Sequence, residues 1–160
     1  MSLLSMLEGL IDADVEFVVI GGVAARAHGS PRITEDLDIC YSTTTSNLDR
    51  LVELLLSWNA YPRGVELGLP FIMDHRTLTT NPILTLTTDE GALDLLDIVS
   101  GVGDFKAVRR ESISVDGGHV QFLALDLPGL VKAKKAAGRP KDLDQLPELE
   151  ALIELRRKGR

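Results

Sequence analysis

An uninterrupted apolar run, Phe17-Val18-Val19-Ile20, ends at Gly21-Gly22. Consecutive β-type apolar residues read as a strand buried on both faces, and paired glycines at its end read as a tight turn. The alanine-rich stretch from Val23 to His28 reads as a short helix, closed by Gly29 and Pro31. Charged and apolar positions then alternate from Glu35 to Tyr41. As a strand, this segment sets Asp36, Asp38 and Cys40 on one face and Leu37, Ile39 and Tyr41 on the other, the second set facing the core. The chain must therefore fit a buried strand, a glycine turn, a helix, and a second strand with two carboxylates about 7 Å apart on one face.

The flanking sequence supplies a layer of helices and further strands. Ser2 can cap an amphipathic helix built on Leu3, Leu4, Met6, Leu7 and Leu10. A second helix is predicted from Asn47 to Trp58 behind Thr45 and Ser46 as caps, with Leu48, Leu51, Val52, Leu55 and Leu56 on one stripe. Residues 59–81 carry prolines and glycines without periodicity and read as an irregular segment or short strand pieces. Ile83 to Thr87 and Leu93 to Val99 form a hairpin around Asp89-Glu90-Gly91. A short helix from Phe105 to Arg110 leads to a second hairpin, with strands Ser112 to Val115 and Val120 to Leu123 around Asp116-Gly117-Gly118. The end is helical, from Leu127 to Ala137 and, after a break at Gly138 to Pro140, from Asp142 to Arg157. Pro147 either kinks that last helix or marks its first turn.

With 160 residues, 44% of them hydrophobic, the chain suits a single domain over residues 1–160. Its core spans about residues 13–125 and its C-terminal helices about 126–157. Seventeen basic against twenty-four acidic residues leave a net charge of −7, which argues against an extended nucleic-acid surface. The single cysteine, Cys40, excludes an internal disulfide; the start lacks a secretion-signal pattern, and no apolar run reaches membrane-spanning length. A soluble cytoplasmic protein with no membrane partner is expected.

Asp36 and Asp38 are the first chemical candidates. Two like charges on one strand face repel, and a cation removes that penalty; oxygen-only donors favour Mg²⁺ or Mn²⁺ over zinc. Gly21 and Gly22 let a ligand approach the backbone, and amides at the following helix start can receive phosphate oxygens. His28, His75 and His119 have no metal spacing, and neither a serine nor Cys40 has a recognisable base partner. His28 lies close to the glycine turn and could touch substrate, although a helix-end histidine is more often structural. Asp142 and Asp144 repeat the Asp-x-Asp spelling, but residues two apart diverge on a helix. Lys134 or Arg139 could neutralise phosphate charge, or complement a helix C-terminus at an interhelical junction.

The string from Phe17 to Tyr41 resembles the signature of the polymerase-β-type nucleotidyltransferase superfamily. The run Gly29, Arg32, Thr34, Asp36, Leu37, Asp38 is similar to that of its small bacterial AbiEii or minimal-nucleotidyltransferase branches. The resemblance implies an α/β (α+β) fold, a small mixed, largely antiparallel sheet with helices against one face, and carboxylates on adjacent strands. It implies Asp36, Asp38 and a third carboxylate as catalytic and metal ligands for two Mg²⁺ or Mn²⁺ ions, with a nucleoside triphosphate such as ATP as substrate. Asp94 is the choice for that third position, favoured by its place after Gly91, with Asp97 as competitor. Gly21, Gly22, Arg32, Thr34 and Lys134 are implied contacts to the nucleotide. The implied reaction moves a nucleoside monophosphate to a hydroxyl acceptor, which in relatives belongs to a small molecule, a protein or RNA. Some small branches are toxins or antitoxins, so a partner protein could supply the acceptor surface. The alternatives are a non-catalytic nucleotide- or partner-binding module with the same fold, and a phosphohydrolase using the same carboxylates.

Overall fold

Ser2 opens the chain as a helix cap in the computed structural model, which describes residues 2–159. Its hydroxyl accepts from the Ser5 N–H at 3.0 Å, while the Ser5 hydroxyl accepts from the Ser2 N–H at 3.1 Å. Helix α1 (Leu3–Asp12) follows and buries Met6, Leu7 and Leu10. Strand β1 (Phe17–Ile20) is buried throughout and passes straight into α2 (Gly21–Ala27). The turn expected at the glycines is thus the helix's own first turn, with Ile20 at its N-cap.

Strand β2 (Leu37–Tyr41) leads to α3 (Thr45–Ser57). Thr44, not Thr45 or Ser46, is the N-cap of α3, and it makes no side-chain cap bond. Asn47 ties this corner instead. Fully buried, its Oδ1 accepts from the Glu16 N–H at 2.7 Å, while its Nδ2 donates to the carbonyls of Ser42 at 2.7 Å and Glu16 at 3.1 Å. The irregular segment holds strand β3 (Tyr61–Pro62) and helix α4 (His75–Thr80), the latter capped by the Asp74 carboxylate on the Thr77 N–H.

The expected first hairpin is β4 (Ile83–Thr88) and β5 (Gly91–Leu96). Ile98 and Val99 leave that strand after Asp97 and form β6 (Ile98–Val99), paired with β7 (Gly103–Asp104). Helix α5 (Phe105–Arg110), strands β8 (Ser112–Asp116) and β9 (Gln121–Leu125), and helix α6 (Leu127–Ala137) follow. Gly138, with φ +66, closes α6. The last helix, α7 (Pro140–Lys158), takes Pro140 in its first turn and runs through Pro147, so Pro147 does not begin it. No helix among the described residues is long and apolar enough to cross a membrane.

Seven strands form the main sheet in the order β3-β4-β5-β2-β1-β9-β8. β2 with β5 and β1 with β9 are parallel, and the other pairs are antiparallel. Leu37, Ile39, Tyr41, Leu93 and Leu95 share one face and are all buried; the Tyr41 hydroxyl donates to the Leu78 carbonyl of α4 on that side at 3.3 Å. The opposite face carries Asp38, Cys40 and Asp94, and α6 brings Leu130, Ala133 and Lys134 over it. Helices therefore cover both faces rather than one, and Cys40 is as buried as Ile39. Over β4 that second face stays open, with Ile83, Thr85 and Thr87 exposed.

Asn47→Ala is expected to leave the Glu16 and Ser42 backbone groups unpaired in a dry corner and to lower stability by about 3 kcal/mol, read as a shifted urea-unfolding midpoint.

Candidate active site

Gly21 has φ +65, and a Cβ built there would stand 2.2 Å from Asp38 Oδ2. Both the conformation and the space exclude a side chain, so the glycine is what allows Asp38 to lie against the start of α2. Gly22 is hemmed in by Thr34, whose Oγ1 would be 2.9 Å from an added Cβ. The Thr34 hydroxyl donates to the Asp36 carbonyl at 3.2 Å and so props the entry to β2.

Strand register assembles the carboxylates. Ile20 pairs with Asp38 across β1 and β2, Asp38 with Asp94 across β2 and β5, and Asp94 with Thr85 across β5 and β4. Arg63, just past β3, continues the row, its N–H donating to the Thr85 carbonyl at 3.0 Å. Neighbouring strands are about 4.8 Å apart, so Asp38 and Asp94 face each other directly. Asp36 stands one residue before β2, its side chain half exposed. Asp97 lies past the end of β5, its N–H donating to the Pro82 carbonyl, and does not join the row.

Burial, and then the neighbouring Asp94 and Asp36 carboxyls, push Asp38 up to about 7, against a smaller opposing effect of Lys134. The Arg63 guanidinium balances part of this charge. Its Nη2 lies 2.8 Å from Asp94 Oδ1 and its Nη1 3.7 Å from Asp36 Oδ2. Nη2 also donates to the Leu86 carbonyl at 2.7 Å. Asp38 Oδ1 is buried without a hydrogen-bond partner, while the buried Asp94 Oδ1 has the Arg63 ion pair as its contact. Two partly or wholly buried carboxylates side by side on adjacent strands, one with an unpartnered oxygen, form a donor set suited to a hard divalent cation. As the side chains stand, no three His, Cys, Asp or Glu residues among those described converge on one point.

A groove of about 390 Å³ opens beside the row, lined by Gly21, Gly22, Arg32, Thr34 and Lys134 among others. A second cavity of about 300 Å³, mostly apolar, contains Asp38, Leu96, Leu130 and Lys134. Gly21, Leu130 and Lys134 line both. The sequence-predicted contacts thus gather around one opening, whereas a larger cavity of about 580 Å³ near Phe105 and Arg109 contains none of them. Within the opening several charges are already paired. Arg32 Nε meets Glu148 Oε2 at 2.7 Å, and the Ser30 hydroxyl also donates to Glu148. Lys134 Nζ and Arg139 Nε contact Asp142 at 3.3 and 2.7 Å, and Asp142 is only 1% exposed. Arg139 and Asp142 therefore form the interhelical junction that sequence allowed, while Lys134 serves that junction and also faces the groove. His28 is buried and its Nε2 meets the Leu125 carbonyl at 2.9 Å, a structural role.

Solved structures share this architecture. A Thermotoga maritima protein assigned as a nucleotidyltransferase aligns with TM-score 0.60 and 16% identity, over 91% of this chain and 88% of its own. The fold is that of the nucleotidyltransferases. The lincosamide antibiotic adenylyltransferase LnuA, solved with lincomycin bound, aligns with TM-score 0.62 and 13% identity, over 94% of this chain and 96% of its own. A nucleotidyltransferase-like antigenic protein of Paracoccidioides brasiliensis gives TM-score 0.57 and 14% identity, over 94% of this chain and 73% of its own. No family model and no curated protein matches the sequence. Within the nucleotidyltransferase fold, the residue that sequence reasoning missed is Arg63. It sits in an aperiodic stretch, and only the pairing of β3 with β4 brings it to the carboxylates.

Gly21→Ala is expected to lower stability by at least about 1 kcal/mol and to displace Asp38. Gly22→Ala is expected to cost less, because the Thr34 side chain can move; paired thermal melts check the order. Arg139 and Lys134 hold Asp142 below its ordinary value. A lowered native pKa stabilises the fold above the unfolded carboxylate value, and that contribution is lost as pH falls through the native one. Asp142→Asn should therefore lower Tm at neutral pH, with the gap to wild type shrinking below about pH 4.

Proposed function

We propose that this chain is a cytoplasmic, metal-dependent nucleotidyltransferase that moves a nucleoside monophosphate from a nucleoside triphosphate, such as ATP, to a hydroxyl acceptor. The observation that carries this reading is the side-by-side placement of Asp38 and Asp94, with Asp38 lying against Gly21 at the start of α2, within a nucleotidyltransferase fold. Mg²⁺ or Mn²⁺ held by Asp36, Asp38 and Asp94 would neutralise triphosphate charge and favour ionisation of the acceptor hydroxyl.

The side chains of the groove divide the remaining work. Gly21 and Gly22 allow the triphosphate to reach the backbone, and Lys134 places positive charge at the same opening. Arg32 and Thr34 line its far side, Arg32 as a secondary charge partner. The acceptor oxygen forms a bond to the α-phosphorus as the α–β phosphoanhydride bond breaks. Pyrophosphate leaves, and Asp94 accepts the hydroxyl proton. The Gly29 to Asp38 motif supports placement in the small bacterial branch and extends the proposal to a toxin-antitoxin setting with a partner protein. The LnuA neighbour adenylylates a lincosamide antibiotic, which supports a small-molecule acceptor alongside protein and RNA. The net charge of −7 disfavours an extended RNA surface.

Incubation of the purified protein with α- and γ-labelled nucleotides, Mg²⁺ and cell extract tests this. Transfer of α-label, but not γ-label, to an acceptor is expected, reduced at least about 100-fold in Asp38→Ala and Asp94→Ala. Nucleotide binding without transfer to any acceptor would instead identify a non-catalytic module, and γ-label released as phosphate a hydrolase.

A further inference from the structure

Arg63 is the one cation whose guanidinium reaches both ends of the carboxylate row among the described residues. It sits 2.8 Å from Asp94 and 3.7 Å from Asp36, between two of the three side chains assigned above to the metal. The charges it contacts are those a divalent cation would need, and one of its own donors is poorly used. Its Nε is buried with no hydrogen-bond partner, so the guanidinium is held by the carboxylates and the Leu86 carbonyl rather than by a complete set of bonds. It is also placed to leave. The side chain is 31% exposed at the end of the two-residue β3, and Gly64 follows with φ +81 and open space around the position of a Cβ. On β4 beside it, the Thr85 and Thr87 side chains are exposed.

We propose that Arg63 is a built-in counter-ion that competes with divalent cations for Asp36 and Asp94, so that loading of the metal requires Arg63 to release them. The proposal rests on the metal-site reading above. The physical reason is mutual exclusion of like charge: a guanidinium in contact with a carboxylate already satisfies the attraction that would recruit the metal, and repels it. In the cation-free protein Arg63 keeps the row from opening by self-repulsion. It acts through Asp36 and Asp94 as a positioning residue.

Binding of Mn²⁺ alone to the purified protein, without nucleotide, tests this by the electron paramagnetic resonance signal of free Mn²⁺. Arg63→Gln is expected to bind about tenfold more tightly than wild type, a coupling common between contacting groups, whereas Arg63→Lys, which keeps the charge, should remain close to wild type. Thermal melts supply a second reading. Arg63→Gln should melt below wild type without Mn²⁺, and saturating Mn²⁺ should narrow or reverse that gap, because the tighter binder gains more stability from the ligand. Equal or weaker Mn²⁺ binding by Arg63→Gln, or a gap indifferent to Mn²⁺, overturns the competition while leaving the metal site standing. Absence of binding in both wild type and Arg63→Gln, or binding unchanged in Asp36→Asn and Asp94→Asn, overturns the metal site and the competition together.

Discussion

The parallel pairing of β2 with β5 sets Asp38 against Asp94 at the edge of the buried part of the sheet, and much of the surrounding structure answers the repulsion this creates. Burial would be cheap for leucines at these positions; for two carboxylates it raises the cost of ionisation, and the elevated Asp38 expresses that cost. Arg63 approaches from one side across β4, and Lys134 from the other on α6. Gly21 removes the one Cβ that would deny Asp38 its place. This concentration of unfavourable local chemistry within an otherwise ordinary core is what the proposed active site rests on.

Lys134 shows how the C-terminal helices are tied to that site. Its ammonium lies between the buried Asp142 and the groove that holds Gly21, and its charge acts on Asp38. The α6–α7 junction therefore closes the fold and also brings one positive charge, of minor effect on Asp38, to the sheet face. Glu148 on α7 plays a related part by engaging Arg32 and Ser30, which fixes one wall of the same groove.

Local patterning made most elements legible. β1 and β2 followed from an apolar run and an alternation, the two hairpins from glycine-bearing turns, and α1, α3 and α6 from apolar stripes with caps or breaks. Where the signal is short it failed. β3 has two residues and α4 six, within a stretch rich in glycine and proline, so no period can emerge. Asn47, a residue with no apolar signature, ties the corner ahead of α3 through backbone groups at Glu16 and Ser42, long-range bonds that no local pattern announces. The coverage of the sheet on both faces was equally invisible, since the alternation in β2 marks charge without marking which helix lies over Cys40.

By itself, the sequence determined that Asp38 lies on the strand face opposite Leu37, Ile39 and Tyr41, that a glycine-led helix precedes it, and that a further aspartate waits on a later hairpin, whereas Asp36, expected on the same strand, stands one residue ahead of it. These are local properties, set by the two-residue period of a strand and the conformational freedom of glycine. Which aspartate completes the row, that Asp94 and not Asp97 stands opposite Asp38, was decided by the tertiary structure, as was the arrival of Arg63. Strand register between segments far apart in the chain is a long-range quantity, settled when the apolar sets of β2, β4 and β5 are buried together on one face; a slip of one residue would turn Asp94 into the core and Leu95 toward the groove.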